Sequence, residues 1–271
     1  MPTDSRRLPV PEVSHSPELF CSSDPTSLIN DDSLRKDGRN PEEIAGIFMQ
    51  CGTVSQAKGS SFCELHKTKV ICSVYGPKDV EQKEDFQMIG KLKCDFKFAP
   101  FSCHKRRGHI ADLEESELCE VLTQALSSSV CLHRYPKSQI EVYVIVLENN
   151  GSALAAAITA ASLALADACI EQYDIVAAAS VRVFGKENFL RDPTFHEEYF
   201  PHQLSKKNDF NNGVVTVALM PTLNQVCGVL SEGCMESSVL QEAIQTCTEE
   251  AQNLYAPLRK CLTSNLGDIN V

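Results

Sequence analysis

Short apolar runs punctuated by Gly and Lys begin at Ile47. Three of them follow one another closely, namely IFMQCGTV, SSFCELH and TKVICSVYGP. All three are rich in Val, Ile, Phe and Cys, which favours strands joined by tight turns. A fourth run, Lys91–Phe98 (KLKCDFKF), alternates polar and apolar side chains. That alternation predicts a strand with one face toward solvent.

A helix, a strand and a second helix are predicted next. Asp112 and Glu115 have the spacing of a capping box, in which each residue bonds the other's backbone at a helix start. The apolar residues after them fall on one helical stripe: Leu118, Val121, Leu122, Ala125, Leu126 and Val130. A β-branched strand at residues 140–148 then leads through Asn-Asn-Gly into the run ALAAAITAASLALADA. Because this run is apolar nearly all round, we expect a central helix.

The second half repeats the order of strands followed by a helix. Strands are predicted at residues 175–184, 214–220 and 225–230, and a helix from about Glu236. The apolar stripe of that helix consists of Val239, Leu240, Ala243, Ile244, Cys247, Ala251 and Leu254. Two such halves predict an α+β fold of mixed β-sheets with packed helices.

The domain boundaries follow from where these patterns begin and end. Residues 1–35 mix Pro, Ser and Asp without a helical or strand period, which is typical of a flexible arm. We therefore expect a single domain at 36–263, with halves at about 36–180 and 181–263, and a tail at 264–271. The chain has 271 residues, of which 43% are hydrophobic and 23% charged, as in ordinary globular proteins.

Composition excludes several classes of function. No apolar run approaches the roughly 20 residues of a membrane span, so no membrane partner is expected and the chain should stay inside the cell. The 13 cysteines are scattered and include no CxxC pair, so we expect free thiols, no metal and no cofactor. A formal net charge of -11 works against independent binding to a polyanion.

The segment at residues 37–79 carries a resemblance to a known family. It contains an Asp-Gly-Arg opening, a Gly-Ser turn and a Thr-Lys-Val strand that ends in Tyr-Gly-Pro. This order is similar to the N-terminal block of RNase PH-like proteins. The segments KCDFKFAPFS, RYPKSQIEVYVIVLE, YDIVAAAS and MPTLNQVCGVLSEG extend the resemblance over most of the chain.

The resemblance implies both a fold and an assembly. The fold would be the RNase PH fold, which is ribosomal protein S5 domain 2-like. The FLRDPTFHEE and VALMPTLNQVCGVL segments and the long arm are similar to those of a ring subunit of the RNA exosome. Such a subunit pairs head to tail with a second RNase PH-like chain in a six-protein ring, which carries S1/KH cap subunits and passes RNA through its channel. The location implied is the nucleus and nucleolus, and also the cytoplasm.

The phosphate-binding side chains of active family members are missing from this sequence. Phosphorolysis needs a bound phosphate, which a helix N-terminus, a guanidinium and a hydroxyl hold well together. Active members place Thr-Arg in the turn that enters the alanine-rich helix. The matching positions here are Ala153 and Leu154, whose side chains donate no hydrogen bond. The amides near Gly151 and Ser152 leave a weak anion site at most.

Two further family positions are acidic in this chain. Active members carry an arginine pair just before the first long helix, where this chain has Glu114 and Glu115, which would repel phosphate and RNA. The family's two aspartates correspond to Asp192 and Glu198. These could form a general acid or metal site. We favour the alternative that DPTFHEE is an Asp-Pro turn followed by solvated acids, with His196 on the surface.

The only basic cluster lies in a loop that lines the central channel in the family. Lys105, Arg106 and Arg107 are therefore candidate RNA contacts, although solvated loop charge or a protein contact is at least as good an interpretation.

The main functional hypothesis is a non-catalytic structural subunit that supports 3′–5′ RNA processing and degradation: rRNA maturation and the turnover of mRNA and noncoding RNA. The alternative is an active phosphorolytic or hydrolytic 3′–5′ exoribonuclease that uses Asp192 and Glu198 with a partner subunit. A small-molecule enzyme that binds another anion at the Gly151 helix end is a remoter possibility, because no nucleophile and base are visible.

Overall fold

The computed structural model describes residues 34–80, 88–103, 106–108, 110, 112–185, 188–199 and 211–269. Residues 1–33 of the predicted arm, and Lys105 of the predicted RNA-contact loop, lie outside these ranges. No helix in the described part of the chain is long and apolar enough to cross a membrane.

A five-stranded mixed sheet forms the first half. Its strands are β1 (Ile47–Cys51), β2 (Gly59–Leu65), β3 (Thr68–Asp79), β4 (Lys91–Phe98) and β5 (Ser138–Glu148), in the spatial order β1-β2-β3-β5-β4. Only β4 and β5 run parallel. Helix α1 (Leu113–Ser129) connects them, because a parallel pair needs a crossover that returns the chain to the same end of the sheet.

A four-stranded antiparallel sheet forms the second half. Its strands are β6 (Ala177–Phe184), β7 (Asn188–Arg191), β8 (Asn212–Met220) and β9 (Gln225–Cys234), in the spatial order β7-β6-β8-β9. The described residues contain three further α-helices, α2 (Ala153–Asp167), the single turn α3 (Phe195–Glu198) and α4 (Ser237–Ile269), and a short 3-10 helix at Leu132–Arg134.

Helix α2 lies between the two sheets. It contacts β2 and β3 on one side and β6 and β8 on the other, and 13 of its 15 residues are buried. Its buried hydroxyls bond the strands: the Thr159 hydroxyl accepts the Ala178 N–H at 3.2 Å, and the Ser162 hydroxyl accepts the Val176 N–H at 2.8 Å. Small side chains are needed here because two sheets approach one helix.

Helix α4 covers the other face of the second sheet. The side chains of β6 therefore alternate between two cores, one shared with α2 and one with α4. Val181 and Val183 face α4, whereas Ala178 packs toward α2. Seven of the eight residues of β6 are buried, including Ser180 and Arg182, because a strand that is covered on both faces has no side toward solvent.

The predicted elements are confirmed with small changes of boundary. The capping box of Asp112 and Glu115 is present at the start of α1. Two elements were missed, β7 and α3, because four residues are too few to show a period. Helix α4 extends through Pro257 to Ile269, so the expected tail at 264–271 begins inside a helix.

Gly59 allows β2 to approach α2. A Cβ atom at this position would lie 2.6 Å from Ala168 Cα, which is inside van der Waals contact with backbone that cannot rotate away. We expect Gly59→Ala to lower the free energy of unfolding by about 1–3 kcal/mol, the range for overpacked cores. Chemical denaturation of the purified chain measures this. Gly46→Ala is the matched control, because a Cβ there meets nothing within 4 Å; equal losses in the two variants would contradict the prediction.

Candidate functional site

A cleft of about 450 Å³ opens at the N-terminus of α2, where the two halves meet. We call it the α2 cleft. Its apolar lining comes from Phe98, Leu118, Ala153, Leu154, Val214 and Leu230, and its acidic lining from Glu114, Glu117, Glu198 and Glu232. Asn149, Tyr199 and Thr216 complete it. The fold thus brings together three of the predicted site residues, Ala153, Leu154 and Glu198.

Ala153 and Leu154 form part of the apolar wall. They are the first two residues of α2 and are only 8% and 6% exposed. Neither side chain contains a hydrogen-bond donor. These two side chains therefore offer no hydrogen bond to an anion at this end of α2.

The turn before α2 is held against α3. Gly151 has a φ of +99°, and a Cβ there would lie 2.6 Å from the carbonyl carbon of Thr194. The Phe195 N–H donates to the Asn150 carbonyl at 2.8 Å, which joins α3 to the turn. Thr68 fixes the turn from the first sheet, since its hydroxyl donates to the Gly151 carbonyl at 2.7 Å.

The carboxylate of Glu198, the last residue of α3, lies at the N-terminus of α2. The Ser152 N–H donates to its carboxylate at 2.6 Å, so a carboxylate of the chain itself fills the position where a helix end binds anions. Burial raises the pKa of Glu198 to about 7, and the Glu232 and Glu114 carboxylates raise it too. The Ser152 N–H and the Arg182 guanidinium lower the pKa but do not compensate.

The remaining acids of the cleft also repel one another. Burial raises the pKa of Glu232, and the carboxylates of Glu114 and Glu117 add to the effect. Only Glu114 among these three has a cation beside it, because Arg107 Nη2 donates to its carboxylate at 2.9 Å; the Tyr199 hydroxyl also donates to it at 2.9 Å. With four glutamates in its lining, the cleft is strongly acidic.

Arg107 and Glu115 lie elsewhere than the sequence suggested. The Arg107 side chain is only 14% exposed and its guanidinium lies 4.1 Å from the centre of the Phe98 ring, whereas Arg106 is exposed. Glu115 was expected to repel phosphate. It is instead buried and accepts the Phe98 N–H at 3.0 Å, so Glu114 alone of this pair lines the cleft.

Asp192 does not line the α2 cleft. Its carboxylate accepts the Ala45 N–H at 3.0 Å, and burial raises its pKa. The expectation of solvated acids after the Asp-Pro turn is wrong for Glu197, which is 4% exposed, and Asp192 in the turn itself is only 7% exposed. His196 is exposed, as expected. The two acids of the predicted pair, Asp192 and Glu198, therefore have separate structural partners.

Arg35 is an important residue that sequence reasoning missed. It was assigned to the arm, yet it is fully buried. Its Nη2 atom lies 2.6 Å from the Glu197 carboxylate and also donates to the Asp192 carbonyl at 2.9 Å. No local pattern reveals this ion pair, because its members are 162 positions apart in sequence. Arg35 ties the start of the domain to α3.

No group of three His, Cys, Asp or Glu side chains in the described ranges is arranged to hold a metal ion. All twelve described cysteines are free thiols, as the sequence predicted.

The fold and the cleft define the class of protein. A model of the RNase PH family, described as "3' exoribonuclease family, domain 1", matches residues 43–171, and the chain belongs to this family. It is 38% identical to the human protein called Exosome complex component MTR3 over 97% of this chain and 95% of that protein. The sequence predicted a resemblance to the exosome ring subunit of the mRNA transport regulator type, from the segments FLRDPTFHEE and VALMPTLNQVCGVL. The human and mouse relatives confirm this resemblance.

Other relatives agree on the family. The chain is 30% identical to Exosome complex component Rrp41 of Methanopyrus kandleri, over 90% of this chain and 98% of that protein. Among solved structures, rice Rrp46 has a TM-score of 0.70 at 24% identity, covering 83% of this chain and 98% of that one. An Archaeoglobus fulgidus exosome with RNA bound to the active site has a TM-score of 0.69 at 18% identity, covering 83% and 93%. These structures confirm the RNase PH fold.

Glu198 should make stability depend on pH. Its folded pKa of about 7 lies above the ordinary value of 4.5, so the native state holds the proton more tightly and its stability falls as pH rises from about 4.5 to 7. Glu198→Gln removes this contribution. We compare the free energy of unfolding of the variant with that of the parent at each pH. We expect this difference to favour the variant by about 1–3 kcal/mol more at pH 8 than at pH 4.5. Denaturation at both pH values measures it. Exposed Glu120→Gln is the control, and parallel pH profiles of E198Q and the parent would refute the prediction.

Removing Arg35 should leave a buried carboxylate without its cation. We expect Arg35→Ala to cost about 3–5 kcal/mol of unfolding free energy, the range for breaking a buried ion pair. Thermal and urea denaturation measure the loss. Lys36→Ala is the adjacent control, since Lys36 is exposed. A cost for R35A no larger than that for K36A would show that the ion pair does not stabilise the domain.

Proposed function

We propose that the chain is a non-catalytic structural subunit of the RNA exosome ring. Its role is to support 3′–5′ RNA processing and degradation by shaping the channel through which RNA passes. The human, mouse and fission-yeast relatives called MTR3 are exosome components by name, and the human and mouse proteins align over 97% of this chain. The partners are other RNase PH-like subunits in a head-to-tail hexameric ring, S1/KH cap subunits and RNA.

The observation that carries the non-catalytic assignment is the Glu198 carboxylate at the N-terminus of α2. Phosphorolysis requires a phosphate dianion at a site of this kind. Here the Ser152 amide already donates to a carboxylate, and the side chains of the neighbouring Ala153 and Leu154 contain no donor. A dianion brought into the cleft would also meet the carboxylates of Glu117 and Glu232.

The alternative exoribonuclease needs Asp192 and Glu198 to act on one substrate. Asp192 lies outside the cleft lining, and its carboxylate is used by the Ala45 amide. A partner subunit would have to supply both the phosphate ligands and the second acid. The scaffold role requires no such change.

We propose one RNA contact in the loop that follows β4, which is the predicted channel loop. Arg106 is exposed and free to meet a phosphate, whereas Arg107 is engaged by Glu114. The work of such a subunit belongs to the nucleus and nucleolus, and also to the cytoplasm, wherever exosomes process RNA.

Assembly and activity together test the proposal. Mass measurement of complexes captured on the tagged chain is expected to show a hetero-oligomer with RNase PH-like and S1/KH chains. The purified chain with its adjoining RNase PH-like subunit, given single-stranded RNA and inorganic phosphate, is expected to release no nucleoside diphosphates. The physical reason is the carboxylate in the phosphate position.

Two outcomes would overturn the proposal. One is a chain that purifies alone as a monomer. The other is release of nucleoside diphosphates that Glu198→Gln and Asp192→Asn both abolish, provided that denaturation shows each variant to be folded. Exposed Glu120→Gln serves as the control for activity and is expected to match the parent.

A further inference from the structure

The α2 cleft combines apolar and acidic lining residues. Leu118 and Glu117 are neighbours on α1, and Leu230 and Glu232 lie two residues apart on β9, so each side of the cleft pairs a leucine with a carboxylate. Such a lining suits a side chain with an apolar stem and a positively charged end. The volume of about 450 Å³ leaves room for one long side chain.

An arginine of the chain itself, Arg107, already contacts two residues of the cleft lining, Phe98 and Glu114. Arg107 lies 4.1 Å from the centre of the Phe98 ring while its Nη2 atom donates to Glu114 at 2.9 Å. This arrangement, a guanidinium over an aromatic ring with a carboxylate at its edge, is a favourable one for arginine. It uses the carboxylate of only one of the acids.

Two of the other acids of the lining, Glu117 and Glu232, have no cation beside them among the described residues. No lysine or arginine in the part of the chain that the structure describes lies within ion-pair distance of Glu117 or Glu232. Tyr199, which also lines the cleft, is 54% exposed next to Glu114, and Leu113, which precedes Glu114 in α1, is 85% exposed. Exposed apolar side chains around charged ones are typical of a protein interface.

We infer that the α2 cleft binds an arginine side chain of a neighbouring protein chain. Its guanidinium lies between Glu117 and Glu232, and its methylene groups pack on Leu118 and Leu230. The inference rests on the proposed function, since a ring subunit has neighbours that present side chains to it. A cleft that holds an anion in active relatives therefore takes a cation from a protein partner here.

Arginine fits this lining better than a metal ion does. A divalent cation such as Mg²⁺ keeps water and demands several oxygen ligands in fixed geometry, and no three acidic, His or Cys side chains of the described residues are arranged to supply them. A guanidinium is planar and weakly hydrated, and it bonds two carboxylates at once while its stem covers leucine side chains.

A titration of the full chain tests the inference. The chain is labelled at its leucine and valine methyl groups, and the signals of Leu118, Val214 and Leu230 are followed by NMR. The probe is the capped peptide Gly-Arg-Gly, and its neutral counterpart is Gly-citrulline-Gly. We expect saturable shifts with the arginine peptide and binding at least tenfold weaker with citrulline. Glu117→Gln and Glu232→Gln should each weaken binding of the arginine peptide at least tenfold.

Glu120→Gln is the matched control. Glu120 is exposed on the same helix as Glu117 but lies outside the cleft lining, so the variant should bind as the parent does. Methyl signals far from the cleft report whether each variant is folded. Absence of shifts, equal shifts with citrulline, or unchanged binding in folded E117Q and E232Q would each overturn the inference. Shifts of the same methyl groups at lower concentrations of MgCl₂ than of peptide would show a metal site instead.

The titration contains neither RNA nor phosphate, so it can fail separately from the proposed function. A chain that assembles and is inert toward RNA but ignores the peptide would overturn this inference alone. A chain that binds the peptide but releases nucleoside diphosphates would overturn the proposed function alone.

Discussion

The packing of α2 between two sheets is the constraint on which the rest of the structure depends. Two sheets approach one helix only if its side chains are small and apolar all round, and the sequence of α2 meets this with eight alanines in 15 residues. Gly59 on β2 completes the close approach. Because the helix is fixed from both sides, its N-terminus is fixed as well. The cleft is therefore built around a rigid helix end.

The chemistry at that end is decided by which charges surround it. A helix N-terminus attracts anions, and in this chain the attraction is satisfied internally by Glu198 from α3. Once that carboxylate is in place, Glu117 and Glu232 make the cleft acidic. The cleft at this helix end thus presents a negative surface. The side chains at a few positions decide this charge, while the backbone holds them in place.

Sequence reasoning succeeded where the signal was local and periodic. The strand Lys91–Phe98 and the capping box of Asp112 depend on neighbouring residues, so the sequence predicted both. It failed where a residue is held by a distant partner. Arg35 was assigned to the arm because its ion pair with Glu197 has no local signature. The burial of Asp192 was missed for the same reason, since the amide that it bonds belongs to Ala45.

Helix α2 also sets how the domain loses its structure. The division into halves at about residue 180 describes the order of elements, but α2 contributes to a core with the first sheet and also packs against β6 and β8 of the second. Separating the halves would expose a whole face of the helix to water. Neither half would retain a complete core, so the domain should unfold in one cooperative step and its halves should not fold as separate units.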